Sequence, residues 1–144
     1  MKGLILAAGR GTRLRPLTHT RPKPAIRVAG RPIFHYAVEN LLEAGVREIG
    51  VVVSPETERD LKVALEGYPV RYVLQEEPQG LAHAVDVARD FLGESPFVLY
   101  LGDNLFQKGI RRFLEAFKPG VSAVIALVRV EDPRQFGVAV LEGN

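Results

Sequence analysis

Five cations crowd one glycine-containing loop near the start of the sequence, and they are the residues best suited to chemistry. The stretch LILAAGRGTRLRPLTHTRPKPA, residues 4–25, contains two glycines followed or flanked by Arg10, Arg13, Arg15, Arg21 and Lys23. The first 38 residues carry eight Lys and Arg side chains and no Asp or Glu. A one-sided basic segment usually faces phosphate groups. The sequence therefore predicts an anion site in this loop, for a nucleotide, a nucleic acid or a membrane.

The spacing of the glycines argues against two familiar phosphate-binding loops. A P-loop requires a Gly-Lys pair, and the sequence has none. A dinucleotide fingerprint requires a third glycine and an acidic residue about twenty positions later, whereas Leu14 stands near the third position and Glu39 is the first acid. NAD and FAD are therefore disfavoured.

A glycine turn backed by two kinds of cation remains. Gly9 and Gly11 allow the backbone to approach an anion closely, so the amides of Gly11, Thr12 and Arg13 can donate to a polyphosphate. Arg13 can form a two-pronged contact with phosphate oxygens, while Lys23 supplies a compact point charge. An ordinary solvated turn is the alternative, and it does not explain five cations without an acid.

Three polar or flexible positions follow later strands. Asp103 comes directly after an apolar run and a glycine, and is predicted to bind Mg²⁺, which commonly takes one or two carboxylates plus phosphate oxygens. Its alternative is a simple Asx turn. Gln75 carries an amide that can accept from and donate to the imide edge of uracil or thymine, and Gly80 can let a base approach the backbone. A polar strand end is the alternative for Gln75.

Strand-like apolar runs alternate with helical patterns, and these elements would position the loops. Helical spacing or strand alternation predicts strands at 2–7, 48–53, 71–75, 97–101, 122–130 and 137–141. It predicts helices at 32–44, from 54–55 toward 67, from 80 through 92, and near 110–117. In the third helix Leu81, Val85, Ala88 and Leu92 form one apolar stripe.

This alternation predicts an α/β fold, a three-layer Rossmann-like sandwich with a mostly parallel central sheet. Ligands in such folds lie outside the carboxyl ends of the strands, so the loops at 8–23, 75–80 and 102–104 should meet at one edge. The length of 144 residues predicts one domain. The sequence has no cysteine and no apolar run near the ~20 residues of a membrane span, which predicts a cytoplasmic location without membrane association.

Three motifs together resemble a known family. LAAGRGTRLRPLTHTRPKP, QEEPQGLAHA and LGDN are similar to the motifs of sugar-phosphate nucleotidyltransferases, most of all those that join thymidylate to glucose 1-phosphate. The resemblance covers essentially the whole chain. It implies Mg²⁺-dependent transfer of a nucleotidyl group from a nucleoside triphosphate to a sugar 1-phosphate, with release of pyrophosphate. It also implies a homo-oligomer.

The resemblance assigns roles to individual residues. It implies that Arg13 contacts the triphosphate and departing pyrophosphate, that Lys23 lies beside the α-phosphoryl group, and that Asp103 binds the metal. It places Gly137 near the sugar, although Phe136 precedes it where a tyrosine is usual. The nucleotide-binding positions that it implies are Leu6, Ala8, Gly9, Gly11, Thr12, Arg13, Gln75, Gly80 and Leu81.

Departures from the family pattern keep other interpretations open. LAAG and PKPA lean toward uridylyl- or guanylyltransferases, whereas LGDN and the spacing of Gln75 and Gly80 lean toward thymidylyltransferases. Family members are about twice as long, and we expect their second metal carboxylate to lie beyond Asn144. A nucleotide-binding module without turnover is therefore an alternative. His35 and His83 lack metal-ligand spacing and are interpreted as structural, and no aromatic pattern supports nucleic-acid binding.

Overall fold

The computed structural model of the protein describes residues 1–9, 26–77 and 79–142. Two compact units divide the chain, Met1–Ile110 and Arg111–Asn144. The described elements of the first unit are β1 (Lys2–Leu6), β2 (Arg27–Val28), β3 (Arg31–Pro32), α1 (Ile33–Glu43), β4 (Ile49–Val53), α2 (Glu58–Ala64), β5 (Val70–Leu74), α3 (Leu81–Asp86), α4 (Arg89–Leu92) and β6 (Phe97–Leu101). Those of the second are α5 (Arg111–Ala116) and a 3₁₀ turn (Pro133–Gln135). The prediction of a single domain stays a prediction.

Among the described residues, four parallel strands form the central sheet in the order β5-β4-β1-β6. Leu6 lies beside Val52 on one neighbouring strand and beside Leu101 on the other. Because all four strands run in the same direction, their carboxyl ends lie at one edge of the sheet. The predicted α/β class with a parallel sheet is confirmed. Strands β2 and β3 form a separate antiparallel pair.

Helices cover both faces of this sheet, which gives the three layers predicted from the sequence. On one face Leu4, Leu6 and Ala8 pack in a buried cluster with Ala84 and Ala88 from the region of α3 and α4. The alternate residues of β1, which include Gly3, point to the other face of the sheet. There the backbone of Gly3 lies against Leu41 of α1. Burial of each such leucine contributes about 1.5–3 kcal/mol to folding.

Helix α1 shows how local sequence produces one of these layers. Its buried residues, Ile33, Phe34, Ala37, Val38 and Leu41, recur at helical spacing and form one apolar stripe. The helix ends at Glu43, and Gly45 lies in the turn that follows, where its φ of +89° permits the change of direction and its amide donates to the carbonyl of Leu42. The predicted range of 32–44 is thus nearly the observed one.

Two helices differ from the bounds that the sequence predicted. The helix predicted from 54–55 starts at Glu58, because Ser54 and Thr57 first form a hydrogen-bonded turn, with Ser54 N donating to Thr57 Oγ1 at 3.0 Å. The helix predicted from 80 through 92 is divided into α3 and α4 by a tight turn at 87–88. Leu81 is 58% exposed and so does not join the predicted apolar stripe, since it lies at the very start of α3.

The prediction of strands at 122–130 and 137–141 is wrong. Both stretches lack regular secondary structure in the described part of the second unit, and Ile125, Val128 and Val140 are each more than three quarters exposed. Alternating apolar residues indicate only that side chains suit a pleated surface. A strand also requires a neighbouring backbone with matching donors and acceptors, and neither stretch forms such a ladder.

Candidate functional site

Three strands end at the carboxyl edge of the sheet, where the loops at 8–23, 75–80 and 102–104 were predicted to meet; residues 10–23 and 78 of these loops lie outside the described residues. Hydrogen bonds continue past the strand ends, from Ala7 N to Val52 O at 2.9 Å and from Gln75 N to Val53 O at 2.8 Å. On the other side of β1, Gly102 N donates to Leu6 O at 3.1 Å. The residues around Gln75, Ala8 and Asp103 therefore follow the ends of β5, β1 and β6 at this edge, and β4 lies between β5 and β1.

Residues Leu6, Ala8 and Gly9 form the end of β1 at the centre of this edge. The side chains of Leu6 and Ala8 are only 8% and 6% exposed, because they belong to the cluster that packs against Ala84. Gly9 is exposed, and a β-carbon there would meet no atom within 4 Å. Leu6 and Ala8 are thus buried below the carboxyl edge of the sheet, whereas Gly9 is exposed at that edge.

The predicted base-binding residues form a connected group on one side of β1. Gln75 is 2% exposed, and its Nε2 donates to Nδ1 of His83 at 2.9 Å and approaches the carbonyl oxygen of Gly80 at 3.5 Å. Gly80 has φ +99° and ψ −177°, a conformation that only glycine adopts without strain. Leu81 follows at the surface. Gln75, Gly80 and Leu81 therefore lie together.

His83 was interpreted as structural from the sequence, and its contact with Gln75 was missed. The available signal was the spacing in QGLAHA, which places His83 one helical turn after Gly80 and on the same side of α3. His35 fits the structural interpretation, since its Nε2 lies 2.6 Å from the carbonyl oxygen of Ala64 on α2.

Asp103 lies on the other side of β1, in the turn that follows β6. The hydroxyl of Tyr100 accepts a hydrogen bond from Asn40 Nδ2 at 3.0 Å and donates to the carbonyl of Asn104 at 3.1 Å, which anchors this turn to α1. Burial raises the pKa of Tyr100, although the hydrogen bond from Asn40 acts in the opposite direction. The phenol therefore stays protonated and keeps its donor role at neutral pH.

The turn after β6 offers one carboxylate, that of Asp103, and this suits a metal ion that takes most of its ligands from a bound substrate and water. Asp103 is half buried beside the end of β1. Across residues 1–9, 26–77 and 79–142, no group of three or more His, Cys, Asp or Glu side chains could hold an ion by itself. One carboxylate completed by phosphate oxygens and water is a common arrangement for Mg²⁺. The set fits Mg²⁺ carried by a polyphosphate.

Several predicted site residues cannot be placed in this geometry. Gly11, Thr12, Arg13 and Lys23 lie outside the described residues, so their roles stay predictions. Gly137 belongs to the second unit, where it is exposed and outside regular secondary structure. Its predicted sugar contact likewise stays a prediction.

Comparison with known proteins assigns the family. The sequence matches the nucleotidyl transferase family over residues 2–144. The chain belongs to this family. None of the helices in the described portion of this nucleotidyl transferase chain is long and apolar enough to cross a membrane.

Individual relatives agree with the family match. A low-salt glycan biosynthesis nucleotidyltransferase, Agl11, from Haloferax volcanii is 46% identical, covering 96% of this chain and 41% of the relative. A glucose-1-phosphate thymidylyltransferase from Streptomyces griseus is 43% identical, covering all of this chain and 42% of the relative. The nucleotidyl transferase chain thus spans about two fifths of the length of these relatives.

A solved structure shows the same fold. A crystal structure from Bacillus anthracis, described as a candidate glucose-1-phosphate thymidylyltransferase in complex with sucrose, matches with a TM-score of 0.73 and 34% identity. The match covers 81% of this nucleotidyl transferase chain and 50% of the other chain. The parallel sheet with helices on both faces is therefore the fold of this family.

Proposed function

We propose that the protein transfers a nucleotidyl group from a nucleoside triphosphate to a sugar 1-phosphate, releasing pyrophosphate. The observation that carries this proposal is the arrangement around β1, with the Gln75 amide on one side of Gly9 and the Asp103 carboxylate on the other. A nucleotide lying across this edge would have its base near the amide and its phosphates near the carboxylate and the basic loop. Family membership supports the same reaction.

The reaction needs positioning and charge neutralisation more than a protein nucleophile. An oxygen of the sugar phosphate attacks the α-phosphorus, a new phosphorus–oxygen bond forms, and the bond to the departing pyrophosphate breaks. In this proposal Lys23 neutralises the α-phosphoryl group and the incoming phosphate, and Arg13 holds the triphosphate and the leaving group. When bound at Asp103, Mg²⁺ would supply further positive charge to the phosphate oxygens.

Thymine or uracil is the base that best fits the described residues. Gln75 offers an amide to the imide edge of either base, and Gly80 leaves room beside it. We favour dTTP and glucose 1-phosphate because the LGDN motif and the spacing of Gln75 and Gly80 resemble thymidylyltransferases. UTP is the second choice, and GTP the third. The homo-oligomer and the cytoplasmic location inferred from the sequence stay predictions.

Pyrophosphate release tests this function directly. The 144-residue protein would be incubated with Mg²⁺, glucose 1-phosphate and either dTTP, UTP, GTP, CTP or ATP, with omission of the sugar phosphate as the control. We expect release that depends on both substrates and is fastest with dTTP or UTP. Nucleotide binding without pyrophosphate release would instead favour a binding module without turnover.

A further inference from the structure

The amide of Gln75 is held by two neighbours that both lie on its nitrogen side. Nε2 lies 2.9 Å from Nδ1 of His83 and 3.5 Å from the carbonyl oxygen of Gly80. The longer contact is weak as a hydrogen bond, but it indicates how the amide is oriented, because a carbonyl oxygen can only accept. The opposite orientation would set the Gln75 oxygen against that carbonyl.

This orientation determines the tautomer of His83, that is, which of its two ring nitrogens carries the proton. If Nε2 of Gln75 donates, Nδ1 of His83 must accept, and the neutral imidazole then carries its proton on its own Nε2. Both protons of the Gln75 amide are thus directed toward acceptors among the described residues. Its Oε1 remains as the group that can face a ligand.

We propose that His83 is a positioning residue that fixes the Gln75 amide so that Oε1 faces the nucleotide base. An oxygen at that point accepts a hydrogen bond from a ring N–H, which uracil and thymine have at N3. Cytosine has a lone pair at N3 and would be repelled by it. His83 therefore selects imide bases over cytosine, an inference that rests on the proposed function.

Packing keeps His83 and Gln75 in this relationship. Ala84, the neighbour of His83 on α3, is 4% exposed and belongs to the buried cluster that includes Leu6 and Ala8. Gln75 is 2% exposed and its amide N donates to Val53 O on β4. If the amide rotated, its oxygen would face the carbonyl oxygen of Gly80, and His83 would have to carry its proton on Nδ1 to keep a hydrogen bond. The contact with Gly80 therefore favours the observed orientation before any base binds.

Binding of UTP and CTP by calorimetry, without sugar phosphate, tests this selection. The two nucleotides share ribose and triphosphate and differ only at the edge of the base. In wild type we expect UTP to bind more tightly. His83→Phe keeps a ring but removes the acceptor, so the ratio of the two affinities should fall about tenfold, the equivalent of one hydrogen bond of about 1.4 kcal/mol.

Two further variants separate positioning from general damage. His83→Asn can place an amide oxygen near the position of Nδ1, and we expect it to restore most of the UTP preference. His35→Phe changes another half-buried helix histidine, which contacts Ala64 instead, and should leave the preference unchanged. Equal loss of UTP and CTP binding in His83→Phe would overturn the proposal, because it would mean that His83 only supports the fold.

The protonation pattern can be measured independently of any activity. Nitrogen NMR of the histidine side chains should show Nδ1 of His83 unprotonated and its Nε2 protonated in the nucleotide-free protein. A proton on Nδ1 would overturn the proposal even if the protein proved to be an active transferase. Conversely, absence of pyrophosphate release together with the expected UTP preference would count against the proposed function and support the role of His83.

Discussion

The backbone of Gly102 lies directly against the ring of Phe34, so closely that a β-carbon at position 102 would overlap the ring carbon Cε1. The same β-carbon would lie 3.1 Å from the carbonyl oxygen of Leu6. Glycine is thus what allows the turn carrying Asp103 to approach the end of β1.

Gly102→Ala should destabilise the protein by about 1–3 kcal/mol, because Phe34 is fully buried and has little room to move. Urea denaturation with a two-state fit would measure the change. Gly137→Ala is the control for stability, since a β-carbon there meets no atom within 4 Å. A Gly102→Ala variant as stable as wild type would contradict this account of the turn.

Gly80→Ala should weaken nucleotide binding and also lower stability by about 1–3 kcal/mol. A side chain is strained at φ +99° and ψ −177°, and relief of that strain would move the carbonyl that faces Gln75. Gly45→Ala is a matched control, because Gly45 also has a positive φ, +89°, but lies in the turn after α1. Stability should fall in both variants, whereas the KM for dTTP or UTP should rise only in Gly80→Ala. An equal rise in both would remove Gly80 from the site.

Lys23→Ala should reduce turnover by about 10²- to 10³-fold, on the scale of losing one preorganised group that stabilises developing charge. The far-ultraviolet circular dichroism spectrum and the melting temperature should stay near wild type. Lys62→Ala is the control, since Lys62 pairs with Glu58 along the surface of α2. Undiminished pyrophosphate release in Lys23→Ala would exclude this lysine from the mechanism.

Asp103→Asn should weaken the response to Mg²⁺, because an amide lacks the charge that draws a divalent cation. Titration of pyrophosphate release with Mg²⁺ at saturating nucleotide should shift the half-maximal concentration upward by about tenfold, the effect of about 1.4 kcal/mol. Asp60→Asn, on α2, should leave the titration unchanged. An unaltered metal response in Asp103→Asn would contradict the metal assignment.

Glu39 should contribute stability that depends on pH. Burial acts to raise the pKa of Glu39, but hydrogen bonds from Tyr68, at 2.7 Å, and from Arg31 outweigh it, and the pKa lies below the ordinary value of 4.5. Because the folded pKa is lowered, this contribution is present above pH 4.5 and is lost as the pH falls through the folded value. Glu39→Gln should therefore cost about 1 kcal/mol at pH 7 and less in acid.

Urea denaturation at pH 7 and pH 3 would measure that difference for Glu39→Gln. Glu56→Gln removes an exposed carboxylate and serves as the control. A deficit for Glu39→Gln that is the same at both pH values would show that its charge is not the cause.

The sequence alone was sufficient for the elements with strong local patterns. The run Phe97–Leu101 was predicted to the residue, because five apolar residues stand between Pro96 and Gly102. The helical stripe of Ile33, Ala37 and Leu41 likewise predicted α1. Alternation of such elements implies a parallel sheet, and a parallel sheet implies that its loops meet at one edge.

Only the tertiary structure decided which side chains meet at that edge. An apolar run becomes a strand only where a neighbouring backbone can pair with it, so the alternating pattern at 122–130 led to a wrong prediction of a strand. The contact of Gln75 with His83 depends on how α3 packs over Ala8, and the position of Asp103 depends on the ring of Phe34 beside Gly102. Periodicity along a chain reports which face of an element is apolar. The partners across that face are set by packing between residues far apart in sequence.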